Sequence, residues 1–145
     1  MNEPSATELP TAYGLGLITG LAVALVYGIA AEVLGLSWGL LVVAVVGGMA
    51  IGGAVSRGAW AGRAHVPTRR LQAGAAVIGA VSWLLAIAVA YFASQVLIPQ
   101  ASTGPLERIS LGGLADYFGG MFDFVRLIHL LGLALIALMA WRGAR

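Results

Sequence analysis

Asp123, Arg126 and His129 follow one another at intervals of three, so any helix carrying them presents all three on one face, with Asp123 within reach of Arg126 and His129 about a turn further on. Groups of this kind in an apolar helix carry protons, ligate cations or sense pH. Glu32, at the end of a long apolar run, is a fourth such group. If it faces the other three, the titratable side chains meet in one half of the molecule. The same residues also admit a plainer reading, in which Asp123 and Arg126 form an ion pair closing one end of a bundle. His129 is then bonded to a backbone carbonyl and Glu32 is anchored in the interfacial layer.

Other chemistries lack their residues. The chain has no Cys, and its eight cationic side chains are all Arg. Thiol nucleophiles, zinc–thiolate and iron–sulfur sites and Schiff-base chemistry therefore have no candidate. Haem held by two imidazoles needs them at one depth on facing helices, whereas His65 and His129 fall at opposite ends of the expected topology. Asp123 with His129 is the one carboxylate–imidazole pair close enough in sequence to share a metal, which is too few ligands for a site. No nucleophile and base pair is recognisable, so no catalytic residue, metal or cofactor is assigned and no enzymatic activity is expected.

The elements that hold these groups follow from composition. Of 145 residues, 60% are hydrophobic and 10% charged, far from the balance of a soluble domain. Six acids and eight arginines cannot cover so small a soluble fold. Lipid is the expected solvent. Ala12 to Ala31 is 20 residues without a charge, long enough for a retained spanning helix. The run from Trp38 follows after only Gly35, Leu36 and Ser37, so the first two helices must turn straight back on each other. Leu71 to Ile98 exceeds the hydrocarbon thickness and must tilt or project, and Pro99 stops it.

Pro105 and Glu107 mark a helix start. Leu106, Ile109, Leu114 and Phe118 recur near helical spacing, broken by Gly112–Gly113, which describes a short surface helix. The expected fold class is an all-α membrane protein: four transmembrane helices in an antiparallel bundle, over about 12–34, 38–55, 71–98 and 121–141, with the surface helix before the fourth. Residues 1–11 form a polar cytoplasmic tail, and 12–145 a single transmembrane domain.

Arg57, Arg63, Arg69 and Arg70 lie between the second and third runs, and Arg142 and Arg145 at the C-terminus. Positive residues stay on the cytoplasmic side, so both termini are expected there, in a bacterial cytoplasmic membrane, with the 35–37 turn and the 99–118 segment outside. The first four arginines also offer contacts to anionic headgroups. Trp38, Tyr91, Tyr117 and Trp141 fall near the span ends, where aromatic rings settle. Because the net charge of +2 is confined to these short segments, the bilayer and not nucleic acid is the expected partner. Gly16, Gly20, Ala24 and Gly28 form a small-residue ladder on the first helix, and Ala44, Gly48, Gly52 and Ser56 one on the second. Such ladders serve packing within the first hairpin, a dimer interface or a narrow conduction path.

The stretch from Val46 to Arg57 resembles the Gly-Gly-x-x-Gly-Ala-x-x-Arg segment of the small four-helix fluoride channels, most closely in Gly52, Gly53, Ala54 and Arg57. That family carries its segment on the first helix, with a Thr-Thr-Phe-Ser-Thr-Phe run that is absent here. The chain is also similar in length and span number to the small multidrug transporters, whose acidic residue lies mid-helix; Glu32 lies nearer its helix end. The hairpin looks like those of uncharacterised small bacterial membrane proteins, a likeness that implies no activity.

Two functions are expected. The first is an associating or accessory subunit without enzymatic activity, as a homo-oligomer or within a larger membrane complex. The second is a small ion or proton-coupled transporter or channel using Glu32, Asp123, Arg126 and His129. A water-filled cavity reaching the midplane favours transport, and a dry bundle with an exposed small-residue stripe favours association.

Overall fold

A computed structural model of the chain describes residues 8–33, 39–60, 68–97, 109–119 and 127–145. These fold into five helices: α1 (Glu8–Val33), α2 (Gly39–Ala59), α3 (Arg69–Leu97), α4 (Leu111–Gly119) and α5 (Leu127–Gly143). No strand occurs among the described residues. α1, α2 and α3 are each long and apolar enough to cross a membrane, whereas α5 is apolar but only 17 residues long over its described range.

Helix ends depart from the apolar runs because capping, not hydropathy, sets them. α1 starts at Glu8, with that acid and Pro10 in its first turn. Both suit a helix N-terminus, so the last residues of the expected polar tail are helical. Thr68 caps α3, its Oγ1 accepting the Leu71 N–H at 3.3 Å. Arg69 and Arg70 thus open α3, and Arg57 lies on the last turn of α2, so three arginines of the expected connector are helical. Ser110 caps α4 through the Gly113 N–H at 2.9 Å. Contrary to expectation, α4 runs unbroken through Gly112 and Gly113. The 35–37 turn, Trp38, Arg63, His65, Pro99, Pro105, Glu107 and residues 121–126 lie outside the described residues.

α1 packs on α2 and α3, and α5 packs on the same two helices from the other side. α2 and α3 touch along the short diagonal, while the α1 and α5 backbones stand apart across the long one. Gly58 meets Ala12 and Gly47 meets Val23, so α1 and α2 run in opposite directions, as a tight turn requires. α1 and α3, in contrast, run in the same direction. A Cβ on Gly28 would stand 2.5 Å from the Ala86 carbonyl oxygen, and one on Gly20 would strike the Ser82 hydroxyl. Gly48 approaches the Ile136 carbonyl at the same 2.5 Å, and Gly52 packs on the Ala140 carbonyl, so α2 and α5 are parallel neighbours too.

The two small-residue ladders therefore face α3 and α5, and not mainly each other. Of the glycines in the first ladder, Gly16 also meets α2, at Val55. All five ladder glycines are buried within the chain. Small residues line the close crossings, beside larger buried ones such as Ile51, Leu71 and Ile87, and the outside is strongly apolar. Ala24, Ala44 and Ala75 are 0% exposed, whereas Ile18, Val42 and Val77 are exposed by 69%, 64% and 63%.

Candidate functional site

Polar side chains gather at the end of the molecule where α1 and α3 finish. Tyr91, buried at the end of α3, accepts the Ser110 N–H and donates its hydroxyl to the Ser110 carbonyl, both at 3.2 Å. Its ring lies 5.7 Å from that of Tyr117 at an interplanar angle of 57°, and Tyr117 donates to Glu32 Oε1. α4 is thereby fastened across the ends of α1 and α3. A Cβ on Gly113 would stand 2.6 Å from the Tyr91 hydroxyl, which explains a glycine inside this short helix. Tyr91 and Tyr117 thus hold α4 in place, a use beyond the belt position expected of them.

A second tier lies deeper. Tyr27 is five residues before Glu32 on α1, about 7.5 Å along the helix axis. It is fully buried, and its hydroxyl reaches across the long diagonal to His129 Nδ1 at 3.5 Å, the outer limit of a hydrogen bond. The two rings are 6.3 Å apart and tilted by 59°. The Trp83 indole N–H from α3 is buried beside the same hydroxyl without a well-formed hydrogen bond of its own. Gly132, one turn after His129, leaves room for both: a Cβ there would stand 2.6 Å from Tyr27 Oη and 3.6 Å from Trp83 Nε1. α1, α3 and α5 thus bring a phenol, an indole and an imidazole together inside the fold.

The sequence trio with Glu32 is only partly described. Glu32 meets Tyr117 and His129 meets Tyr27, while Asp123 and Arg126 lie outside the described residues. Tyr27, Trp83, Tyr117 and Gly132 were not among the residues the sequence singles out as a site. A tyrosine in an apolar run carries a hydrogen-bonding group that has to find a partner, and that is the signal available in advance.

The opposite end is cationic. Arg57, Arg69, Arg70, Arg142 and Arg145 are exposed there, on the ends of three helices. The close approach of Gly143 to Met49 and Gly52 and the hydrogen bond from the Tyr13 hydroxyl to the Arg70 carbonyl, 3.3 Å, bring those ends to one level. Between the two ends the core is nearly free of polar groups. Apart from tyrosine and tryptophan, the buried polar side chains among the described residues are Ser56, Gln72 and Ser82. Ser82 bonds back to the Ile78 carbonyl at 2.8 Å. On the outside, α1 and α2 form an apolar groove of about 400 Å³ lined by residues such as Val23, Val26, Val43, Val46 and Gly47.

No family model matches the chain, and no curated protein or solved structure matches it either.

Proposed function

We propose that the chain is an integral membrane protein that crosses the bilayer four times with its arginine-bearing end in the cytoplasm, and that it acts by association, as an accessory subunit or homo-oligomer without enzymatic activity. The observation that carries the reading is the apolar exterior. Large apolar residues such as Ile18, Val42 and Val77 on α1, α2 and α3 are exposed, while glycines of α1 and α2 let the backbones approach closely inside, which is how helices pack when lipid surrounds them. Water would make such a surface an aggregation site. With the glycine ladders occupied inside the chain, association falls to the outward faces, and the α1–α2 face offers an apolar groove for it. The absence of Cys permits a clean test. Single Val42→Cys or Val46→Cys variants, treated with a cross-linker in native membranes, should each yield one defined adduct, while Val77→Cys on α3 should not. Recovery of uncross-linked chain from all three removes the association reading.

A second reading is favoured by the Tyr27–His129 contact across the long diagonal, because intramembrane ionisable groups mark ion and proton pathways. It makes the chain a small proton-coupled transporter or channel that uses Glu32, Asp123, Arg126 and His129. Reconstituted vesicles should then show a pH-dependent flux that Glu32→Gln or His129→Gln abolishes. Flux that survives both substitutions, or none from the parent chain, removes it.

A further inference from the structure

We propose that His129 is a proton-binding site served only from the Glu32 and α4 end of the bundle, so that the polar interior senses protons from one side and does not conduct them through. The contact between Tyr27 and His129 carries the first half. The Trp83 N–H can only donate, and it is buried close to the Tyr27 hydroxyl without completing a hydrogen bond, while that hydroxyl stands 3.5 Å from His129 Nδ1. While His129 Nδ1 carries no proton it can only accept, and the Tyr27 O–H is then the donor of this contact. A proton taken from bulk water onto Nδ1 turns that nitrogen into a donor. The Tyr27 O–H must then rotate away, and the one side-chain link across the α1–α5 diagonal described above is remade.

The surroundings carry the second half. Toward the Glu32 end stand Glu32, Tyr117, Tyr91 and Ser110, each bearing a hydroxyl or carboxylate within the polar tier. Toward the arginine end, α5 from Leu130 to Ala140 has no polar side chain, nor has α1 from Gly20 to Val26. There Gly48 and Gly79 close directly on the Ile136 carbonyl oxygen, at 2.5 and 3.2 Å from their Cβ positions. The buried hydroxyl described on that side, Ser82, donates to the Ile78 carbonyl at 2.8 Å, an acceptor that passes no proton on. The titratable and charged groups on the packed elements are few. α1 brings Tyr27 and Glu32, with Glu8 and Tyr13 at its far, arginine end, α4 brings Tyr117 and Asp116, and α3 brings Tyr91. The cations of α2 and α3 sit at the far end, and Asp123 and Arg126 precede His129 in sequence, outside the described residues.

The site itself is tested in detergent, which makes no demand on orientation or association; only the sidedness rests on the membrane reading above. In a chain carrying Trp38→Phe, Trp60→Phe and Trp141→Phe, the emission of Trp83 should fall in one titration step between about pH 8 and pH 5, where imidazole charges. The step should vanish in His129→Gln. Tyr27→Phe, which keeps the ring, should move the midpoint with helix content unchanged. In vesicles with one chain orientation, the step should follow the pH on the Glu32 side alone. A step that survives His129→Gln, no step at all, or an unmoved midpoint in Tyr27→Phe overturns the proton site. An equal response to pH on the arginine side overturns its one-sided access.

Discussion

The Tyr117 hydroxyl donates to Glu32 Oε1 and so closes α4 onto the last turn of α1. On its other side Tyr117 rests against the Tyr91 ring, and Tyr91 holds the first turn of α4 through Ser110. Two tyrosines from different helices therefore hold a nine-residue helix that is too short to persist alone.

Removing the Tyr117 hydroxyl should loosen α4 and little else. Tyr117→Phe keeps the ring contact and loses a hydrogen bond to a partly exposed carboxylate, a cost of about 1 kcal/mol. Hydrogen exchange should quicken over Leu111–Gly119 while α1, α2 and α3 keep their protection. Unchanged exchange in α4 would show that Glu32 does not hold it.

Adjacent glycines of α4 should respond oppositely. Gly112 has open space where a Cβ would go, so Gly112→Ala should hold or slightly raise stability through helix propensity, about 0.5–1 kcal/mol. Gly113→Ala drives a methyl against the Tyr91 hydroxyl and should cost about 1–3 kcal/mol of α4 docking. Equal behaviour of the two variants in the same exchange measurement contradicts the docking geometry.

Thermal unfolding in detergent should separate the glycines of α1 in the same way. Gly28→Ala places a methyl 2.5 Å from the Ala86 carbonyl oxygen and 2.7 Å from Val89, both on the tightly packed α3. The helices must part, at about 1–3 kcal/mol. Gly14→Ala meets nothing within 4 Å and should leave the midpoint level or higher. If Gly28→Ala unfolds no earlier than Gly14→Ala, the parallel α1–α3 packing is wrong.

The helices were legible from the sequence because charge-free runs of spanning length leave little choice. Their partners were not. α1 is apolar all round, so no polar stripe says which side faces out, and the Gly16–Gly28 ladder fits any smooth neighbour. Only the antiparallel pairing of α1 with α2 followed from a local feature, the three residues from Gly35 to Ser37 that join the two runs. The deep polar tier escaped for a related reason. Tyr27 and Trp83 lie far apart in sequence and far from His129, so no spacing rule joins them, and Tyr91 and Tyr117 looked like interfacial aromatics because their partners are just as distant. Glu32 and His129 were legible as unusual groups in apolar helices, but what each touches depends on the packing.

Orientation gives the last prediction. The exposed arginines Arg57, Arg69, Arg70, Arg142 and Arg145 share one end with the single acid Glu8 among the described residues, and the acids Glu32 and Asp116 lie toward the other. Translocating five guanidinium groups is opposed by the membrane potential at about 2.3 kcal/mol per charge per 100 mV, whereas the α4 end carries no described cation. Because the chain lacks Cys, a single thiol reports its own side. Ala115→Cys, exposed on α4, should react with an impermeant maleimide added to intact cells, and Arg145→Cys should react only after permeabilisation. The reverse pattern would invert the protein, and labelling of both from outside would mean that the chain does not sit in the membrane as a four-span bundle.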